Sequence, residues 1–385
     1  MEEVLSGGTR IGILGGGQLG KMFIQAASQL DIYCAILDPN PQCPAAPLAN
    51  NYVQGDFSKY EDVLKFGECA DVITIEIENV NTDALKVLRD QGKRVHPSPE
   101  VIETIKDKGN QKNFYRDNNI HTSDFTIYPN GPSILEGLGQ GLINYPFVQK
   151  ACREGYDGRG VAVIRGENDL KKLLNTESII EPIVDIDREV AVILSRNEKG
   201  EINVFPIVEM EFSPEANLVE LLVSPARIDS EKEEKAISLG KKVVESLELI
   251  GLIAVEMFVT KSGEILVNES APRPHNSGHH TIEANVSSQY EQHLRAITGM
   301  PLGSCNPVSP AVMINVLGSE GFSGDVVYKN AEEVLNTPGA HFHIYGKKQT
   351  KPFRKMGHIT ICGNDVESLI ERGKQLKNLV RVEAN

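Results

Sequence analysis

Over the first ~100 residues apolar runs alternate with amphipathic stretches, the arrangement expected of a parallel sheet with crossover helices. Arg10–Leu14 reads as a first strand, Gln18–Leu30 as a helix and Tyr33–Asp38 as a second strand. Val72–Ile77 reads as a later strand, with Ile73, Ile75 and Ile77 on one face and Thr74, Glu76 and Glu78 on the other. His96-Pro97-Ser98-Pro99 breaks this rhythm, so a domain boundary is expected near residue 100, followed by a helix over Glu100–Asn118.

Beyond that helix the pattern turns richer in strands. Phe147–Ala151 and Val161–Ile164 flank a polar, glycine-containing loop and predict a hairpin. Ser178–Val184, Glu189–Leu194, Ile202–Val208 and Val219–Val223 read as further strands. Ala236, Ile237, Gly240, Val243, Val244 and Leu247 form one stripe of a helix over Glu231–Leu249. Two more strands and a helix over Gln289–Thr298 lead to a final segment of mainly short strands. The predicted class is α/β followed by α+β, without internal repeats.

A length of 385 residues fits two or three domains, and 40% hydrophobic with 24% charged residues describes an ordinary globular chain. No signal-like or membrane-length apolar stretch is present, so a cytoplasmic protein without a membrane partner is expected. Six cysteines are scattered without a CxxC pair, which argues against a disulfide framework or zinc knuckle. A net charge of −14 disfavours nucleic acid as a partner. Against that trend, Lys347, Lys348, Lys351, Arg354 and Lys355 follow one another with no acid between them. They form either a solvated loop or a pocket for a small phosphorylated substrate.

Gly15-Gly16-Gly17-Gln18-Leu19-Gly20 follows a strand, opens a helix and has Asp38 at the end of the next strand. That satisfies the dinucleotide fingerprint, so an NAD-linked oxidoreductase is one reading. Backbone approach to another anion at the helix N-terminus, or a tight turn alone, are the others.

The strongest chemical signal lies in Gly251–Val259 and Ile265–Glu269. With Ser262-Gly263 as the central turn residues, a hairpin pairs Glu256 directly opposite Glu269, among Ala254, Val255, Met257 and Val267. Two opposed carboxylates in such a setting need a shared cation or a shared proton, and hard oxygen donors suit Mg²⁺ completed by phosphates. A slip of one residue in the turn would separate the pair. Directly afterwards, Arg273, His275, Asn276, Ser277 and His279 stand on a proline-stiffened polar loop. His275, His279 and His280 permit a zinc site, but no cysteine or acid is spaced to complete it.

Lys150-Ala-Cys-Arg-Glu-Gly-Tyr-Asp-Gly-Arg-Gly160, Ser178-Ile-Ile-Glu-Pro-Ile-Val184 with Glu189, then Glu256 and Asn268-Glu269 resemble the ATP-grasp nucleotide site in chain order. Gly155–Gly160, Arg273–His279 and Arg354-Lys-Met-Gly-His358 make the chain similar to the N5-carboxyaminoimidazole ribonucleotide synthetase family. It departs from the family pattern at Glu154 and Val161.

The resemblance implies an ATP-grasp fold, with a Rossmann-like preATP-grasp domain at 1–105 and an ATP-grasp domain at 106–300 whose lid spans about 120–185. A small, mainly β domain at 301–385 would complete it. It implies a homodimer, ATP and Mg²⁺ without biotin, and carboxylation of aminoimidazole ribonucleotide by bicarbonate through carboxyphosphate, in purine biosynthesis. A related ligase such as formate-dependent glycinamide ribonucleotide formyltransferase is the neighbouring alternative.

By position, Lys108 and Lys150 would contact ATP phosphates beneath a lid of Gly155, Tyr156, Asp157, Gly158, Arg159 and Gly160. Glu181, Pro182, Ile183 and Val184 would hold adenine, Glu189 the ribose, and Asn268 and Glu269 the nucleotide's metal side. Glu256 and Glu269 would bind Mg²⁺, and Arg273 bicarbonate. Gln18, Leu19, Glu76, Asn276, Lys347, Arg354 and Lys355 would meet the ribonucleotide, with Asp157 or His275 as the base and Lys347 beside them in the catalytic set.

Overall fold

The protein is represented by a computed structural model that describes residues 8–153, 160–212 and 219–385. The first segment builds a five-stranded parallel sheet from β1 (Arg10–Leu14), β2 (Tyr33–Asp38), β3 (Asn51–Gln54), β4 (Val72–Ile75) and β5 (Arg94–Val95), in the order β3-β2-β1-β4-β5. Helix α1 (Gln18–Ser28) lays Leu19, Met22, Phe23, Ile24 and Ala27 onto one face of that sheet. Strand β4 is shorter than its alternation suggests and buried on both faces, as a central parallel strand must be, so Glu76, Ile77 and Glu78 lie just past its C-terminal end.

The predicted helix over Glu100–Asn118 is two helices, α2 (Pro99–Ile105) and α3 (Lys108–Asp117). Asp107 adopts extended geometry and its side chain accepts the amide of Asn110 at 3.1 Å, so it caps a new helix instead of continuing the old one. This break sets Lys108 in the first turn of α3.

A four-stranded antiparallel sheet follows, ordered β6-β9-β7-β8, from β6 (Thr126–Tyr128), β7 (Phe147–Ala151), β8 (Val161–Ile164) and β9 (Ser178–Pro182). The largest sheet joins β10 (Ile186–Arg196), β11 (Ile202–Val204), β12 (Val208–Phe212), β13 (Val219–Ser224), β14 (Gly251–Thr260) and β15 (Ile265–Ala271). The single strand predicted over Ile202–Val208 is divided, because β11 pairs with β10 at Leu194–Arg196 while β12 pairs with it at Glu189–Ala191. Helix α4 (Ser230–Ser246) covers one face through Ala236, Gly240, Val243 and Val244.

That sheet does not end with the middle of the chain. Strand β13 pairs with β16 (Ala311–Leu317), which pairs with β20 (Lys355–Cys362), which pairs with β18 (Ala340–Ile344). A separate three-stranded sheet, β17 (Gly324–Lys329), β19 (Gln349–Thr350) and β21 (Arg381–Ala384), lies beside it. Helix α5 (Gln289–Thr298) fastens the segments together: its Tyr290, Leu294 and Ile297 share one core with Ile11, Phe23 and Tyr345. At its centre His293 Nδ1 accepts the amide of Leu252 at 3.1 Å, which leaves Nε2 as the protonated nitrogen to donate to Thr74 at 2.8 Å. Burial lowers the pKa of His293 to about 3, in keeping with this neutral tautomer. Among the described residues no helix is long and apolar enough to cross a membrane.

Candidate functional site

The cleft is built where the C-terminal end of the first sheet meets the β14–β15 hairpin. In that hairpin Glu256 lies opposite Glu269, as the sequence predicts, but by a different route. The turn is displaced by one residue, so that Met257 faces Val267 and Phe258 faces Leu266. A β-bulge then leaves Asn268 as an extra residue and restores the pairing at Glu256 and Glu269. A bulge turns two consecutive side chains toward one face. Accordingly Asn268 accepts from Lys150 at 2.8 Å, and Glu269 is paired with Lys108.

This geometry divides the two carboxylates electrically. Lys108, and more weakly Lys150, hold Glu269 well below the ordinary carboxylate range against the effect of burial. Burial, reinforced by Glu269 and Glu189, pushes Glu256 up. His275 Nε2 stands 3.7 Å from Glu256. Its Nδ1 lies 2.9 Å from the Ser277 hydroxyl, and Gln289 braces its backbone from both sides at 2.9 and 2.8 Å. Glu189, on β10 opposite Phe258 and diagonal to Glu256, is lifted to about 7 by burial.

Beyond Lys150 lies a second charged group. Glu181 is almost wholly enclosed and accepts from Lys150 at 2.7 Å, Lys112 at 2.5 Å and Ser123 at 2.6 Å. Its side chain therefore serves the two lysines and not adenine; only its backbone remains for a base. Pro182 and Ile183 are exposed, and Val184 is half-buried. Lys112 was not legible as a site residue, since four residues after Lys108 it looks like an ordinary charged helix face.

On the other wall, the glycine-rich turn holds the chain's own carboxylates. Glu76 accepts the amides of Gly17 at 2.6 Å and Gly20 at 2.5 Å, and Asp38 accepts that of Gly16 at 2.8 Å. A dinucleotide pyrophosphate would have to displace both acids, so the NAD reading loses its binding surface. Burial raises the Glu76 carboxyl even against those two amides. Gln18 opens α1 and is half-buried, whereas the Leu19 side chain is packed in the core and can offer a ligand only its backbone.

Arg273 reaches across to the first segment. Its guanidinium donates to Glu78 Oε2 at 3.0 Å, lies 2.9 Å from Oε1 in the same ion pair, and donates to the carbonyl of Pro274 at 3.1 Å. Its buried Nε has no partner among the described residues. Asn276 exchanges two amide hydrogen bonds with Asn315 of β16, at 2.8 and 2.9 Å, so its side chain is engaged by the sheet. From the basic segment Lys347 donates to the carbonyl of Lys355 at 2.8 Å and lies over the Tyr345 ring. Arg354 donates to the carbonyl of Gln349 at 2.5 Å. Lys355, at the start of β20, acts electrostatically on Glu256 and His279.

The zinc alternative does not survive. The His275 ring engages Ser277, His279 lies 3.0 Å from the Tyr290 hydroxyl, and His280 lies 3.1 Å from the Ser277 carbonyl. Among the described residues no three His, Cys, Asp or Glu side chains gather as a metal cage. Glu154, Gly155, Tyr156, Asp157, Gly158 and Arg159 lie outside the described residues. Gly160 is described: its φ of +73° suits glycine, and its carbonyl accepts the Ala151 amide at 2.8 Å.

Comparison with known proteins covers most of the chain. Residues 8–106 match the ribonucleotide synthetase preATP-grasp domain, residues 113–290 the ATP-grasp domain, and residues 311–372 the phosphoribosylaminoimidazole carboxylase C-terminal domain. The chloroplastic phosphoribosylaminoimidazole carboxylase of Vigna aconitifolia is 38% identical over 93% of this chain, which spans only 65% of that relative's length. The crystal structure of N5-carboxyaminoimidazole ribonucleotide synthetase from Thermotoga maritima is 41% identical, with a TM-score of 0.90 over 98% of this chain and 100% of the other. That of N5-carboxyaminoimidazole synthase from Aspergillus clavatus, in complex with ADP and 5-aminoimidazole ribonucleotide, is 31% identical. Its TM-score is 0.86 over 96% of this chain and 98% of the other.

Proposed function

The chain belongs to the N5-carboxyaminoimidazole ribonucleotide synthases, a family of ATP-grasp ligases, and from that premise we propose that it carboxylates 5-aminoimidazole ribonucleotide with bicarbonate while ATP becomes ADP and phosphate. The observation that carries this reading is the bulged hairpin, which turns Asn268 and Glu269 together toward Lys150 and Lys108 and leaves Glu256 opposite. Two lysines beside two hard carboxylates suit a polyphosphate and its cation.

Glu256 and Glu269 are the residues that would hold Mg²⁺. Their opposed oxygens, with Glu256 held toward its protonated form by burial, fit a site awaiting a shared cation. When bound, that ion would offset charge on the phosphates. Lys108 and Lys150 would steady the phosphates, Glu189 would face the ribose, and the backbone from Glu181 to Val184 would meet adenine. Arg273, with its unpartnered Nε, would hold bicarbonate as it attacks the terminal phosphate to give carboxyphosphate.

The ribonucleotide would lie between Glu76 and the basic segment, its phosphate toward Lys347, Arg354 and Lys355. The attacking amine must lose a proton. His275 and Asp157 are the two candidate acceptors. The ring of His275 stands 3.7 Å from the Glu256 carboxylate, whose negative charge would stabilise the imidazolium formed when the ring takes up that proton.

The deciding experiment measures ADP release with bicarbonate, with and without the ribonucleotide, alongside detection of the carboxylated product. Release of ADP without carboxylation of the amine would refute the substrate; no ADP release at all would refute the reaction class.

A further inference from the structure

Of the residues assigned above to substrate, Lys112 touches only Glu181, and only its side chain; it is 2% exposed and enclosed with that anion, itself 3% exposed. We propose that Lys112 is a positioning residue for the nucleotide: by sharing the charge of Glu181 it keeps Lys150 from being neutralised and so leaves one net positive charge facing the ATP phosphates. The inference rests on the ATP reading.

The hydrogen-bond count separates the two lysines. An ammonium has three N–H groups. Those of Lys112 are met by Thr122 Oγ1 at 2.6 Å, Ser123 Oγ at 2.8 Å and the Ser123 carbonyl at 3.4 Å, with Glu181 Oε1 ion-paired at 2.5 Å, so none is left for a ligand. Lys150 uses two, toward Glu181 Oε2 at 2.7 Å and Asn268 Oδ1 at 2.8 Å, which leaves one to donate to a phosphate. The cluster holds two cations and one anion. Without Lys112, Glu181 and Lys150 would form a closed neutral pair, and a buried carboxylate with one cation holds it more firmly than a carboxylate with two.

Burial alone would raise the Glu181 carboxyl; Lys150 and Lys112 outweigh it and hold the group at about 2. Glu181 is thus an anion throughout the working range, and its charge counters the burial, Lys150 and Lys108 that lower the ammonium of Lys112. Lys112 also joins three chain segments near the nucleotide, because Thr122 in turn donates to the Val267 carbonyl at 2.6 Å, next to Asn268.

The test uses ADP titration of the whole protein in three forms: wild type, Lys112→Met, and Lys112→Met with Glu181→Gln. The net charge of the cluster is +1, 0 and +1 respectively. ADP should bind Lys112→Met about tenfold more weakly, the KM for ATP should rise in step, and the KM for the ribonucleotide should stay put. The double variant should recover most of the lost affinity, which a merely packing role of Lys112 would not produce. Unchanged ADP affinity in Lys112→Met, or a double variant weaker than the single one, would overturn the proposal. Should Lys112→Met not fold, the double variant decides alone, since it buries no unpaired carboxylate. Affinity within about fivefold of wild type supports the proposal, and any greater loss refutes it. A wild type that fails to bind ADP would instead refute the ATP reading itself.

Discussion

Glu189 carries a burden that the ligand-free protein cannot relieve. Burial lifts its carboxyl from an ordinary value of 4.5 to about 7, and the nearby Lys150 only moderates the rise. A carboxyl that keeps its proton longer in the fold than in the unfolded chain contributes fully below pH 4.5. Its contribution is lost as pH climbs to about 7, because the unfolded state ionises first. Glu189→Gln is therefore expected to leave thermal stability unchanged at pH 4 and to stabilise the ligand-free protein by about 1 to 3 kcal/mol at pH 8. Equal melting temperatures of the two forms at pH 8 would mean that the carboxylate is ionised in the fold without cost. Glu256 and Glu269 invite a different measurement, since one shared ion makes them a unit. Glu269→Gln should remove Mg²⁺-dependent ADP formation with the fold intact, and adding Glu256→Gln should make matters no worse. Additive losses would assign them separate tasks. These two acids were legible in the sequence because apolar neighbours on both sides made a solvent role improbable. Lys112 and Glu78 were not, because their partners, Glu181 and Arg273, are 69 and 195 residues away. No local pattern encodes a distant counter-charge.

Strands and helices were read well where periodicity was regular and poorly where a single polar residue intervened. The parallel order of the first sheet follows from its alternation of runs, and α1 and α4 bury the stripes expected of them. Asp107 divided a predicted helix, because a side chain that caps competes with continuation of the backbone. The β14–β15 hairpin contains two departures from the expected register that cancel, a displaced turn and a bulge at Asn268. Pairing arithmetic from the turn could not reveal either. The bulge has a checkable meaning. Deleting Asn268 should give a regular ladder that still sets Glu269 opposite Glu256, while Lys150 loses its second acceptor. That charge-assisted hydrogen bond, worth roughly 1.5 to 3 kcal/mol, is made in the ligand-free protein and also positions Lys150, so the melting temperature should fall and the KM for ATP should rise about tenfold. A deletion variant with normal KM would show that the bulge serves folding of the hairpin and not the lysine.

At the scale of the whole molecule the proposed site depends on the convergence of three stretches of chain. The first sheet supplies Glu76 and Glu78 from the end of one central strand, the hairpin supplies the acids and Arg273, and the last segment supplies Lys347 and Lys355. The family resemblance predicted this convergence. The composition did not, and neither did it disclose that β13 and β16 make the middle and last segments one continuous sheet. That continuity fixes where the basic segment can act. β20 lies in the sheet next to β16 and begins at Lys355, so Lys355 is held close enough to influence Glu256. Arg354 makes an exposed hydrogen bond to Gln349 instead, bracing its own loop. A charge-assisted bond to phosphate in a partly desolvated cleft is worth roughly 1.5 to 3 kcal/mol, whereas an exposed charge contributes about 0 to 1 kcal/mol and is screened by salt. Lys355→Met should therefore raise the KM for the ribonucleotide by about tenfold or more and leave ADP affinity unchanged. Arg354→Ala should raise it by less than about fivefold, an effect that fades as ionic strength increases. Steady-state kinetics at low and high salt distinguish the two residues. If Arg354→Ala proves the more damaging at both, the phosphate lies over the exposed loop and not at the sheet edge, and the placement of the ribonucleotide between Glu76 and Lys355 is wrong.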